Sequence, residues 1–151
     1  MIAVLQRVSR ASVTVDGDTV SSCGRGFLIL LGVERGDSEE DCRLLADKIS
    51  RLRVFSDDSG KMNLSVNDIS GSVIVVPNFT LLASYRKGNR PDFTNSAPPD
   101  EARRLFDFFS DYVETLVPSA GRGLFGADMK VELLNDGPVT ICMDSKVLRK
   151  Q

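Results

Sequence analysis

The chain has 151 residues, 19 basic and 21 acidic side chains for a formal net charge of -2, and no histidine. That length fits one domain able to bury about 68–70% of its unfolded surface, and the near-balanced charge argues against a molecule-wide electrostatic grip on nucleic acid. Without imidazole, Ser-His-Asp and Cys-His nucleophilic catalysis and histidine-based metal chemistry are excluded.

In chain order, the first third predicts strands over 2–9, 12–15, 19–22 and 26–33. Asp16-Gly17 is a hairpin signal, because glycine takes the positive φ that tight turns require, and the strands read as an antiparallel meander. Phe27-Leu28-Ile29-Leu30-Leu31 is apolar at successive positions and predicts burial on both faces. From Asp37 the apolar period becomes helical through Cys42, Leu45, Ile49 and Leu52, with Asp37 or Ser38 as N-cap and Glu39, Glu40 and Asp41 in the first turn. Arg53 to Phe55 reads as a short strand, Asp57-Asp58-Ser59-Gly60 as a turn, and Val73 to Val76 as a buried strand ending at Pro77.

A second helix is predicted after Pro98-Pro99-Asp100, with Ala102, Leu105, Phe106, Phe109, Tyr112, Val113 and Leu116 on one broad apolar face. Phe108 falls off that stripe, as a scattered exposed aromatic or a subunit contact. Ala120 to Ala127 is a glycine-rich loop without the strand-before, helix-after context of a nucleotide loop, and it leads into strands over 130–134 and 139–144. Cys23, Cys42 and Cys142 are odd in number and widely spaced, so they fill apolar positions rather than forming disulfides or a zinc site. The segment Met1 to Arg7 reaches a charge too soon for a signal peptide, and no apolar run approaches the ~20 residues of a membrane span. A cytoplasmic protein with no metal, no cofactor and no membrane or DNA partner is expected.

Two segments invite a functional reading. Gly137-Pro138 interrupts a strand-like apolar stretch, and a Gly-Pro there marks a bend, bulge or exposed tip with bare carbonyl oxygens. It is either an ordinary hairpin turn or a backbone element that binds a ligand. Arg86-Lys87-Gly88-Asn89-Arg90 is a short basic loop, either solvated or a local contact for RNA phosphates.

The ordered motifs Gln6-Arg7-Val8, Gly32-Val33, Pro77-Asn78-Phe79-Thr80-Leu81, Arg86 to Pro91, Ala97-Pro98-Pro99, Phe125-Gly126-Ala127-Asp128-Met129 and Asn135-Asp136-Gly137-Pro138-Val139-Thr140 resemble those of D-aminoacyl-tRNA deacylases, the D-tyrosyl-tRNA deacylase-like family. The match runs the length of the chain. The resemblance implies a homodimeric α/β fold, with a barrel-like, mostly antiparallel sheet and two main flanking helices in a single domain spanning 1–151. It also implies hydrolysis of the ester joining a D-amino acid to the terminal adenosine of tRNA. In such a family the Gly-Pro matching Gly137-Pro138 is cis and enters the partner subunit's active site, holding the substrate amino group and rejecting an L side chain. Glycine has no side chain to reject, so Gly-tRNA, including Gly mischarged on tRNA-Ala, is an expected substrate.

Under this resemblance Asn78, Phe79 and Thr80 form the catalytic segment, where backbone N–H groups after a buried strand can meet a developing oxyanion. Thr80 is either a covalent nucleophile with no visible base to activate it or a structural residue. The tRNA's own 2′-hydroxyl is expected to help activate water. Arg7 is either a surface arginine or a brace for the Gly-Pro tip. Arg7, Gly137, Pro138 and Met129 are the expected substrate-binding residues, and Arg86, Lys87 and Arg90 the expected tRNA-binding ones. Where the family pattern has Ser-Gln before Phe-Thr, this chain has Pro77-Asn78, and the proline resembles a sister family that acts on mischarged L-alanine. Thr80 and the Asn135-x-Gly-Pro-Val-Thr form favour the D-specific branch. The alternatives are a sister-type deacylase of relaxed chirality, a non-catalytic RNA-binding module, and a structural dimer.

Overall fold

The computed structural model describes residues 1–149, in which a curled six-stranded sheet carries helices on one of its sides. The elements are β1 (Ile2–Val15), β2 (Asp18–Cys23), β3 (Gly26–Gly32), α1 (Glu39–Ser50), β4 (Phe55–Ser56), β5 (Met62–Leu64), β6 (Ser72–Pro77), a 3-10 turn (Phe79–Leu82), α2 (Pro99–Leu116), β7 (Ala120–Arg122), β8 (Lys130–Asp144) and α3 (Ser145–Leu148). No helix among the described residues is long and apolar enough to cross a membrane.

β1 is the spine. Its 14 residues are long enough for β3 and β2 to pair in succession along one edge, while β8 runs along the other. The strand order is therefore β2-β1-β3, not the expected meander. The expected gap near Arg10 is absent, because register shifts between Gln6 and Arg10 absorb the irregularity inside one continuous strand. The ladders that join β3 to β6 and β6 to β7 are parallel.

β7 forms inside the glycine-rich stretch expected to be a loop. A Cβ on Gly121 would stand 2.4 Å from the Ser21 Oγ, so this glycine serves the close approach of β7 to β2 that brings the sheet near to closure. The strand expected over 53–55 begins only at Phe55, where pairing with Leu64 starts, and Arg53 reaches the Asn63 carbonyl through its side-chain Nε at 2.8 Å.

Alternation along β3 divides the core. Phe27, Ile29 and Leu31 join the cluster under the helices with Leu45, Ile49, Phe106 and Phe109. Leu28 joins Val8, Val13, Ile74 and Val76 in a second cluster on the other face, as a period of two requires for a strand buried on both sides. Ser38 caps α1, and Asp41 at the third helical position accepts the Ser38 N–H at 2.8 Å. Pro99 opens α2, where its missing N–H leaves no bond unmade. The predicted α2 stripe is the packed face, and Phe108 lies half-buried between Tyr112 and the Arg43 guanidinium, 4.7 Å from its ring.

Candidate active site

At its end β6 passes directly into the 3-10 turn, laying the segment 77–82 across the end of β3. Gly32 permits this crossing, because a Cβ there would stand 3.2 Å from the Asn78 carbonyl oxygen. The Asn78 N–H donates to the Leu31 carbonyl at 2.8 Å. The Asn78 side chain folds back on the turn, where its Oδ1 accepts the Thr80 N–H at 3.2 Å and a short hydrogen bond from the Thr80 hydroxyl. This is the local competition for backbone donors that makes asparagine a capping residue.

The expected row of free N–H groups over 78–80 therefore narrows to one. Asn78 and Thr80 have acceptors, and only the Phe79 N–H lacks one among the described residues. The Thr80 hydroxyl is likewise engaged with a neutral amide oxygen and bonds no basic side chain among the described residues. Phe79 is 58% exposed and meets Phe93 edge-on at 4.9 Å between centroids.

Beneath Phe79 lies a cavity of about 230 Å³ lined by Leu31, Val33, Pro77, Asn78, Phe79, Ser96, Ala97, Ala102, Phe106, Phe125, Gly126, Ala127 and Met129. Met129 is seated beside Gly123, where a Cβ would come within 2.8 Å of its sulfur. The structure thus brings Asn78, Phe79 and Met129 to one space, whereas Thr80 is not among its lining residues and joins it only through Asn78. A larger open groove of about 550 Å³ between α1 and α3 contains none of the predicted site residues.

Arg7, Gly137 and Pro138 form a second cluster. β8 is one strand, not two, and its ladder with β1 steps from Gln6–Thr140 to Val8–Asn135, so residues 136–139 bulge opposite Arg7. The Asn135 amide closes that bulge on itself. Its Oδ1 accepts the Val139 N–H at 2.9 Å and its Nδ2 donates to the Val139 carbonyl at 3.2 Å. The Gln6 Oε1 accepts from both Asn135 and the Thr140 hydroxyl. Asp136, Gly137 and Pro138 are left exposed at the tip, with a cis Gly137-Pro138 bond.

Arg7 is buried, at 9% exposure, and not a surface residue. Its Nε donates to the Asp136 carbonyl at 2.9 Å and its Nη1 to the Val54 carbonyl at 2.6 Å. Neither Arg7 nor the tip lines the cavity of its own chain. Arg86, Lys87 and Arg90 stand fully on the surface in a loop pinched at its base by paired backbone hydrogen bonds between Ser84 and Asp92. The cavity itself was missed in the sequence, since its lining comes from β3, β6, α2 and the 125–129 segment, and no local spacing joins them.

A family model described as D-Tyr-tRNA(Tyr) deacylase matches residues 4–144. A D-aminoacyl-tRNA deacylase of Geobacter sulfurreducens is 56% identical over 147 residues, covering 97% of this chain and 96% of that protein. One from Vibrio cholerae is 52% identical, covering 96% of this chain and 100% of its own. Among solved structures, one described as c-Myc DNA Unwinding Element Binding Protein superposes with a TM-score of 0.90 at 41% identity, covering 95% of this chain and 98% of its own. A probable eukaryotic D-amino acid tRNA deacylase shares the fold, with a TM-score of 0.81 at 16% identity over 94% of this chain and 97% of its own.

Proposed function

The chain belongs to the D-Tyr-tRNA(Tyr) deacylase family, and we propose that it hydrolyses the ester of D-aminoacyl-tRNA in the cavity beneath Phe79, with the Gly137-Pro138 tip as its filter for handedness. The observation that carries this reading is the pairing of a cavity whose strand-end loop keeps one unspent N–H, at Phe79, with a rigidly braced backbone tip. In the reaction, water attacks the ester carbonyl and the Phe79 N–H stabilises the oxyanion. The 2′-hydroxyl of the terminal adenosine passes the water's proton to the departing 3′-oxygen, so no side-chain base is required.

Asn78 holds the loop in shape by engaging Thr80, and Met129 shapes the wall against which the substrate lies. The tip does not reach the cavity of its own chain, which supports its action in a partner's cavity within a homodimer. There its carbonyls bind the substrate amino group, and the backbone leaves no room for an L side chain, so discrimination is built from exclusion. Such a filter reads only handedness, which admits Gly-tRNA, including Gly on tRNA-Ala. Arg86, Lys87 and Arg90 contact tRNA phosphates, and the protein works in the cytoplasm.

The test is to incubate the purified protein with D-Tyr-tRNA, L-Tyr-tRNA and Gly-tRNA and to follow deacylation. Loss of the D- and Gly-esters with the L-ester intact is the expected result. Hydrolysis of all three would remove the filter, and tRNA binding without turnover would make the protein a binding module.

A further inference from the structure

The arginines of α2, β7 and the loop after β3 differ in how far their charge is already spent. Arg104 pairs with Glu39 at 3.1 Å, and Arg122 is held by Asp111 at 2.6 Å and by Glu114 at 2.5 Å. Arg35 turns its Nε to the Thr94 carbonyl at 2.8 Å. Arg103 makes no ion pair among the described residues, although Asp107 stands one helical turn ahead of it. Its guanidinium lies 4.8 Å from the centre of the Phe125 ring, and a Cβ on Gly126 would stand 3.7 Å from its Nη2.

Phe125 and Gly126 both line the cavity, so Arg103 is an exposed cation docked on its wall. A guanidinium held over an aromatic face is positioned without a carboxylate and keeps N–H donors for an anion, with the fork geometry that suits phosphate. An ester seated in the cavity brings the terminal adenosine with it, and the next anion along the RNA strand is one sugar away.

Resting on the deacylase reading, the geometry points to Arg103 as the residue that binds a phosphodiester of the tRNA acceptor end and so positions the terminal nucleotide over the cavity. The test compares D-Tyr-tRNA with D-tyrosyl-adenosine, which carries the same ester and nucleoside but no phosphate. Arg103→Ala raises the KM for D-Tyr-tRNA by about tenfold, the weight of one charge-assisted hydrogen bond, with kcat little altered. It also lowers the salt slope of kcat/KM by about one, and Arg103→Lys restores that slope. Arg104→Ala, whose charge is spent on Glu39, shows neither change. Equal losses on the tRNA and on D-tyrosyl-adenosine, or an unaltered salt slope, would overturn the proposal by reducing Arg103 to a packing partner of Phe125. Failure of the unsubstituted protein to hydrolyse either ester would instead overturn the deacylase reading, and this inference with it.

Discussion

Arg7 and Asp136 are 129 residues apart in sequence, yet the Arg7 Nε donates to the Asp136 carbonyl at 2.9 Å from a site that solvent scarcely reaches. The same guanidinium reaches the Val54 carbonyl, so one side chain fixes the root of the tip to the helix-side core. Hydrogen bonds to a charged group contribute about 1.5–3 kcal/mol each. Arg7→Ala is expected to lower the urea midpoint accordingly and to cut D-ester hydrolysis. Arg7→Lys, unable to span both carbonyls with a fork, should recover stability only in part.

Gly137 has a φ of +145°, and a Cβ there would stand 2.7 Å from both the Val139 Cγ2 and the Val139 nitrogen. That nitrogen is the donor Asn135 uses to close the bulge. Gly137→Ala must therefore shift the tip, at about 1–3 kcal/mol of backbone strain. We expect kcat/KM for D-Tyr-tRNA to fall by about tenfold to a hundredfold, with the far-ultraviolet circular dichroism unchanged because the tip is solvent-exposed.

Asn78→Ala releases the Thr80 N–H and hydroxyl together, whereas Thr80→Ala leaves the amide cap on the backbone in place. Capping contacts of this kind are worth about 1 kcal/mol. The asparagine variant should lose more kcat than the threonine variant, measured side by side on D-Tyr-tRNA. Trapping an acyl-enzyme on Thr80 would reverse that ranking and the mechanism with it.

Acid sensitivity has a local origin at Asp41. Burial pushes its carboxyl upward, but hydrogen bonds from Arg149, Ser145 and Ser38 outweigh that and hold it well below the usual carboxylate range. A carboxylate depressed in the folded state stabilises it fully above the unfolded value of about 3.9, and this contribution is lost as pH falls below it toward the folded value. Asp41→Asn should therefore be less stable than the parent at pH 7 and show a flatter loss of stability between neutral and acid pH in urea titrations.

The cysteines separate by accessibility. Burial, with the nearby carboxylates of Asp41, Asp37 and Glu39, pushes the Cys42 thiol up to about 12, while Cys142 is exposed on β8. A thiol reagent applied to the folded protein should label Cys142 first and reach Cys42 only on unfolding, which mass spectrometry of the peptides would show.

What the sequence made legible were the features written in neighbouring residues. Asp16 and Gly17 both adopt positive φ at the first hairpin, and the α2 stripe from Ala102 to Leu116 packs as its spacing requires. Features that depend on distant partners were not legible. The expected brace of Arg7 on the tip is its bond to Asp136, but its second anchor at Val54 could not be read until the fold brought that carbonyl to it. Gly121 reads as loop chemistry until Ser21 is seen against it. The turn residues of 135–138 suggest a break between strands, yet the Asn135 amide substitutes for the missing ladder bonds and β8 continues through them. The Phe79 N–H emerges as the free donor only once every competing acceptor in the loop has been placed.

The closure of the bulge by Asn135 makes the tip a self-contained cassette. Residues 136–138 protrude from a frame bonded through Asn135, Val139, Thr140 and Gln6, and Arg7 ties the first of them to it at the Asp136 carbonyl. The frame therefore sets the tip's backbone from below, and Gly137 is the position where a side chain would press back on it, at the Val139 nitrogen. The tip is thus exchangeable only as a unit that keeps glycine at 137, while Asn135 and Gln6 hold the strand in register beneath it.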